Sequence, residues 1–80
     1  MERQAILDAV KENLVAVVDG VTVEQIDPKK MMVEYGASSL DVVDIVSNSM
    51  RQLKIKIPRA ELSGIKNIDD LTDAFCRHAQ

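Results

Sequence analysis

Apolar positions recur along this chain in three stripes of helical period, separated by two stretches that have none. Ile6, Leu7, Val10, Leu14, Val17 and Val18 follow one another at steps of three and four, with Glu2, Arg3, Asp8, Lys11 and Glu12 on the remaining faces. That spacing predicts a first helix over about residues 3–18, stopped at Asp19-Gly20 because glycine tolerates the left-handed conformation that ends many helices. In a second stripe Val43, Val46, Met50 and Leu53 carry the period, and Leu40, Val42 and Ile45 widen it. Ser38 suits the N-cap and Asp41 stands three residues on, as in a capping box with Asp for the usual Glu. Asp41 and Asp44 lie early and Arg51 and Lys54 late, in keeping with the helix dipole, so a second helix is expected over about 39–53. The third stripe, Ile68, Leu71, Phe75 and Ala79, follows Asn67 as a cap, with Asp69 and Asp70 in the first turn and Arg77 and His78 in the last.

Between these stripes, residues 19–38 form a long first loop. Val21, Val23, Ile26, Met31, Met32 and Val33 are its expected apolar anchors, and Asp27-Pro28 is its turn. The alternation in Leu53–Pro58 suggests a strand, but no second strand is in view to pair with it. It reads instead as an extended connector with Ile55 and Ile57 pointing inward. Pro58 then opens a short helix that Gly64 closes. The expectation is an all-α four-helix bundle, one domain over residues 1–80, with three longer helices, one short helix and a long first loop.

Composition narrows the function. With 10 basic and 13 acidic residues the formal net charge is −3, and aromatic residues are only 2% of the chain. Nucleic-acid binding usually needs a basic stripe or a stacking platform. Here the basic residues are spread out apart from Arg51, Lys54, Lys56 and Arg59, and there are too few aromatics to stack on, so nucleic acid is not an expected partner. No apolar run approaches the ~20 residues of a membrane span, and the first residues do not resemble a secretory signal. The single cysteine suits a reducing compartment, so the chain is expected in the cytoplasm.

Catalytic candidates are few. His78 is the one histidine, at a polar edge where solvation or the helix dipole accounts for it. No His/Cys cluster has zinc-ligand spacing, so no metal site and no catalytic residue is expected. Gly36–Leu40 imitates a nucleophile elbow, but Leu40 stands where the last glycine belongs and no strand precedes it. Cys76, beside the third stripe, is expected to be a small buried hydrophobe. Ser38 and Ser39 stand apart, because they lie where the long loop becomes the second helix. One serine can cap the helix, which leaves the other in the first turn with its hydroxyl toward solvent. A phosphate ester there would meet the positive end of the helix and its free N–H groups.

The segment Glu34–Val46, EYGASSLDVVDIV, resembles the modification motif of acyl carrier proteins. In that family glycine, a variable residue and Asp-Ser-Leu begin the second helix. Ile57-Pro58 before the short helix and the segment IKNIDDLTDAF extend the resemblance over nearly the whole chain. It implies a carrier without catalytic activity of its own, its cofactor a 4′-phosphopantetheine attached by a phosphopantetheinyl transferase to Ser39, where the thiol holds acyl groups as thioesters. The implied partners, besides that transferase, are an acyltransferase, a ketosynthase or other acyl-processing enzymes, and the carrier would be a monomer. Ser38, Leu40, Asp41 and Asp44 form the implied docking face. A core of Val, Ile, Leu and Met would open to shelter an aliphatic chain between the second helix and the short one.

Two departures from the family pattern matter. Ser38 replaces the usual Asp, which leaves the cap intact but removes a charge from the transferase's docking surface, and leaves Ser38 itself as an alternative attachment point. Arg51, Lys54 and Arg59 make the far end of the second helix positive where such carriers are commonly acidic. This favours a polyketide or other specialised pathway over a fatty-acid-synthesis carrier. From a different class, a small helical interaction domain whose serines only cap a helix would carry no prosthetic group.

Overall fold

The structure, a computed structural model, describes residues 2–79. Three α-helices form the frame: α1 (Arg3–Val17), α2 (Ser39–Leu53) and α3 (Ile68–His78). A 3-10 helix over Arg59–Gly64 is the short fourth element of the bundle. α1 packs against both α2 and α3. Its inward face is Ile6, Ala9, Val10 and Leu14, and it meets Ile45, Val46 and Leu53 of α2 and Ile68, Leu71, Ala74 and Phe75 of α3 in one core. Burying an aliphatic or aromatic side chain of this size stabilises by roughly 1.5–3 kcal/mol. Most of the stability therefore resides in this three-helix seam.

Polar clasps fix the relative placement of the helices. Arg3 at the start of α1 meets Asp73 at 2.6 Å and Asp69 at 3.7 Å on α3. Asn13 donates to Gln52 Oε1 at 2.9 Å, across α1 and α2. The expected extended connector is present. Ile55 and Ile57 are buried, and Ile57 N–H donates to the Met50 sulfur at 3.3 Å, pinning it to the end of α2. Among the described residues there is no strand, only an isolated antiparallel bridge between Met31 and Asn67.

The first loop is more ordered than its sequence suggests. It contains 3-10 turns at Val23–Gln25 and Met32–Tyr35. Met32 N–H donates to Lys66 O at 2.9 Å, Asp69 N–H to Pro28 O at 3.0 Å and Asn67 Nδ2 to Lys29 O at 3.3 Å, so the loop is sewn to the start of α3. Of the expected anchors, Met32 and Ile26 are buried, and Val21 and Val23 half-buried. Met31 and Val33 are exposed instead, because the 3-10 turn points only Met32 inward.

Other expectations also need correction. α1 ends at Val17, with Val18 already extended, although Gly20 does adopt positive φ. In α2 the buried stripe is Ile45, Val46, Ser49 and Leu53, which leaves Leu40 and Val43 outside. The short helix is 3-10, and Gly64 is its last residue with no positive φ, so it is not a left-handed cap. Lys54 takes that conformation instead, at the end of α2 (φ 57°). Cys76 is exposed, not buried: it is one residue past Phe75, about 100° round α3 from the core-facing side. His78 is half-buried and paired with Glu61 rather than simply solvated.

Candidate functional site at the start of helix α2

The approach to α2 is set by one glycine. Gly36 ends the Met32–Tyr35 turn with φ 96°, ψ 4°, and its N–H donates to Val33 O at 3.0 Å. A Cβ at this position would meet nothing closer than Val18 Cγ1 at 3.9 Å, so the backbone angle and not space calls for glycine. Tyr35 steadies the turn from below, its hydroxyl accepting from Asp27 N–H at 2.6 Å. Buried Ala37 then anchors the chain as it enters the helix.

Ser38 and Asp41 complete the expected capping box. Asp41 N–H donates to Ser38 Oγ at 3.1 Å, and Ser38 N–H donates to Asp41 Oδ2 at 2.8 Å. The Ser38 hydroxyl is thereby committed to the helix. Ser39 is the first helical residue and is exposed. Among the described residues its hydroxyl has no hydrogen-bond partner, and no acceptor meets the N–H groups of Ser39 and Leu40. An anion linked to Ser39 Oγ would have both the free donors and the positive end of a fifteen-residue helix beside it.

Several large apolar side chains are exposed at this end of the protein, and Met31, Val33 and Val43 line one cavity with Ser39. Leu40 is 77% exposed, Val33 52%, Val43 47% and Met31 41%. Alongside lies a largely apolar cavity of about 330 Å³ that Ser39 helps to line, walled by Val42, Val43 and Val46 of α2 and by Leu62 and Ile65 at the short helix. A further hollow of about 280 Å³ continues past Val43, Val46 and Leu62 toward Met50 and Ile57. Together they form a trench between α2 and the short helix. The sequence located its two walls but not its entrance, because the exposure of Met31 and Val33 depends on the turn before Gly36.

Of the residues singled out from the sequence, Ser38, Ser39, Leu40 and Asp41 cluster at the helix start, and Asp44 is exposed one turn further on. His78 and Cys76 lie away from this site on α3. Among the described residues no group of His, Cys, Asp and Glu is placed to hold a metal ion, and no helix is long and apolar enough to cross a membrane.

Residues 12–75, which span all of α2 and the trench, match the family model of the phosphopantetheine attachment site. Over 75 residues the chain is 36% identical to the polyketide biosynthesis acyl-carrier-protein AcpK of Bacillus subtilis (strain 168), covering 94% of this chain and 92% of that protein. The chain belongs to the acyl carrier protein family. The family's prosthetic group, phosphopantetheine, suits what this carrier presents: an exposed hydroxyl and backbone donors that have no partner among the described residues, and an apolar trench that Ser39 helps to line. The replacement of Asp by Ser before the motif serine leaves the carrier's cap complete, because Ser38 makes the same bond to the Asp41 N–H that an Asp would.

Proposed function

We propose that the protein is a non-catalytic acyl carrier that takes 4′-phosphopantetheine at Ser39 from coenzyme A, by the action of a phosphopantetheinyl transferase, in the cytoplasm. The observation that carries this reading is the division of labour between adjacent serines: Ser38 Oγ accepts the Asp41 N–H, while Ser39 Oγ is exposed and without a partner among the described residues. When attached, the group supplies a thiol that holds an acyl chain as a thioester. The protein's own residues do the rest. The first turn of α2 stabilises the phosphodiester through its N–H groups and dipole. Leu40, with Ser38, Asp41 and Asp44, offers partner enzymes an apolar anchor ringed by polar groups. Asp41 takes part through Oδ1, since Oδ2 is held by Ser38.

The trench lined by Val43, Val46 and Leu62 receives the acyl chain, withdrawing it from water between partner encounters. Each methylene buried there contributes about 0.8 kcal/mol. Shifts in the side-chain resonances of these three residues on acylation test this, and an unchanged core counts against it.

The pathway we infer is polyketide or other specialised biosynthesis. The similarity to a carrier named for polyketide biosynthesis supports this, as does the cationic far end of α2. A fatty-acid-synthesis carrier is the less favoured reading, because its partners would meet Arg51, Lys54 and Arg59 in place of acids.

Intact mass spectrometry after incubation with coenzyme A and a broad-specificity transferase tests the assignment. One phosphopantetheine mass should be gained by the wild type and by Ser38→Ala, and none by Ser39→Ala. If neither the wild type nor Ser38→Asp gains mass while a control carrier does, the carrier reading fails and a helical interaction domain takes its place.

A further inference from the structure

The exposed side of α2 changes sign along its length. Asp44, Ser47, Arg51 and Lys54 follow at steps of three, four and three, which keeps them on one stripe of the helix, and Asp41 precedes them by one turn. Asp44 and Arg51 are seven residues apart, roughly 10 Å along the axis at 1.5 Å per residue. The acidic end adjoins Ser39. The basic end is reinforced by Lys56 and Arg59 from the segment that follows, both exposed. Among the described residues none of Arg51, Lys54, Lys56 and Arg59 forms an ion pair, and only Arg51 has a side-chain partner, the neutral Asn48 Oδ1 at 2.5 Å.

Three of these cations, Arg51, Lys54 and Lys56, frame a depression. Ser47, Met50, Arg51, Lys54, Ile55 and Lys56 line a hollow of about 370 Å³, mostly apolar within, its floor formed by half-buried Met50 and buried Ile55. Lys54 is held at its rim by a left-handed backbone. A hollow with an apolar floor and a cationic rim fits an apolar side chain flanked by carboxylates.

We propose that this basic hollow is a second docking point for partner proteins, taking an acidic surface segment with an apolar anchor, and that with Asp41 and Asp44 it forms a two-signed face. This rests on the carrier reading. A partner bearing basic groups near its active-site entrance and acidic groups about 10–15 Å away would meet α2 in one direction only, which delivers the Ser39 arm to that entrance. A reversed approach sets acid against acid and base against base, and so does a partner that is basic throughout. The same alternation argues against a membrane as the occupant. An anionic lipid plane laid along α2 would face Asp41 and Asp44 as well as the cations, and the chain as a whole carries a net charge of −3.

The test is a titration of the isotope-labelled full-length protein with a synthetic helical peptide carrying a leucine stripe flanked by glutamates, followed by amide chemical shifts. Shifts should concentrate at Met50–Lys56 and shrink as salt is raised toward 0.5 M, where screening is severe. They should weaken roughly tenfold in affinity in the Arg51→Gln/Lys54→Gln/Lys56→Gln variant, as expected for loss of three exposed charge contacts. Arg51→Gln and Lys56→Gln alone should each weaken binding by less, which guards against a folding defect in the triple variant. Equal binding of a peptide with glutamine for glutamate would overturn the proposal. So would shifts centred on Leu40 and Val43, no shifts at ~1 mM peptide, or the same shifts with inorganic phosphate. Stronger binding to phosphatidylglycerol vesicles than to the peptide would assign the hollow to a membrane surface and overturn it too. The mass gain at Ser39 is read separately, so failure of this docking point and failure of the carrier assignment are distinguishable.

Discussion

Ser38 and Asp41 hold each other in a reciprocal pair of hydrogen bonds, 3.1 Å from Asp41 N–H to Ser38 Oγ and 2.8 Å from Ser38 N–H to Asp41 Oδ2. This pair starts α2 and leaves the next hydroxyl, that of Ser39, without a hydrogen-bond partner among the described residues. The two serines therefore respond unequally to truncation. Ser38→Ala removes the cap and should destabilise the fold by about 1 kcal/mol, while Ser38→Asp should leave stability nearly unchanged. Ser39→Ala removes an exposed hydroxyl that has no hydrogen-bond partner among the described residues and should fall within about 0.5 kcal/mol of wild type. Urea unfolding of the three variants checks the ranking. A Ser39→Ala loss as large as that of Ser38→Ala would mean that Ser39 carries the cap.

How far the site was legible in the sequence follows from the same residues. A capping box is a local device, so Ser38 and Asp41 could be read from spacing alone, and so could Asn67, whose Oδ1 accepts from Asp70 N–H at 2.7 Å. The facing of α2 could not. Leu40, Val42, Val43, Ile45, Val46, Met50 and Leu53 are apolar around more than half of the helix, and more than one stripe satisfies the period. The buried one runs through Ser49, a polar residue that masks it, while Leu40 is left exposed and Val43 faces the trench. The 3-10 turn that exposes Met31 and Val33 is held by the Met32 N–H bond to Lys66 O, at the bridge between Met31 and Asn67, more than thirty positions away, which no local pattern records.

Gly36 and Gly64 make a matched comparison. Gly36 sits at φ 96°, where a Cβ is strained whatever the space, so Gly36→Ala should cost roughly 1–2 kcal/mol and slow phosphopantetheine transfer by disturbing the entry to α2. Gly64 has ordinary φ, and a Cβ there would meet no atom within 4 Å. Gly64→Ala should therefore be neutral or stabilise by up to about 1 kcal/mol, through loss of freedom in the unfolded chain. Thermal melts of both variants, with transfer rates for Gly36→Ala, decide it. Destabilisation by Gly64→Ala would mean that the short helix relies on a conformation only glycine reaches.

Ser49 lies fully buried in α2, and its hydroxyl has no hydrogen-bond partner among the described residues. Leaving a buried donor unmet costs about 1–3 kcal/mol. Ser49→Ala should keep or raise stability, by up to about 1 kcal/mol, since it removes the unmet group for a small loss of volume. A clear loss on Ser49→Ala, measured by urea unfolding, would show that the hydroxyl is satisfied in solution by an ordered water.

The short helix that walls the trench is tied to α3 by one carboxylate. Glu61 accepts from Arg77 Nη2 at 2.7 Å and also meets the His78 ring. The Arg77 hydrogen bond chiefly, then that of His78, holds the Glu61 carboxyl below its ordinary value of 4.5. A carboxyl depressed in the folded state binds a proton more readily when unfolded. Its stabilising contribution is therefore complete above about pH 4.5 and is lost as the pH falls through the lower, folded value. The wild type should melt above Glu61→Gln at neutral pH, and the two curves should converge on acidification below that point. Because Leu62 follows Glu61 and lines both hollows, release of this tie should also loosen the trench wall. Hydrogen exchange at Glu61–Ile65 should then rise in Glu61→Gln at neutral pH while α1 stays protected. Melting curves that coincide from pH 7 to 3 would show that the Glu61 contacts contribute nothing to the fold, and the short helix would then be held by its apolar packing through Leu62.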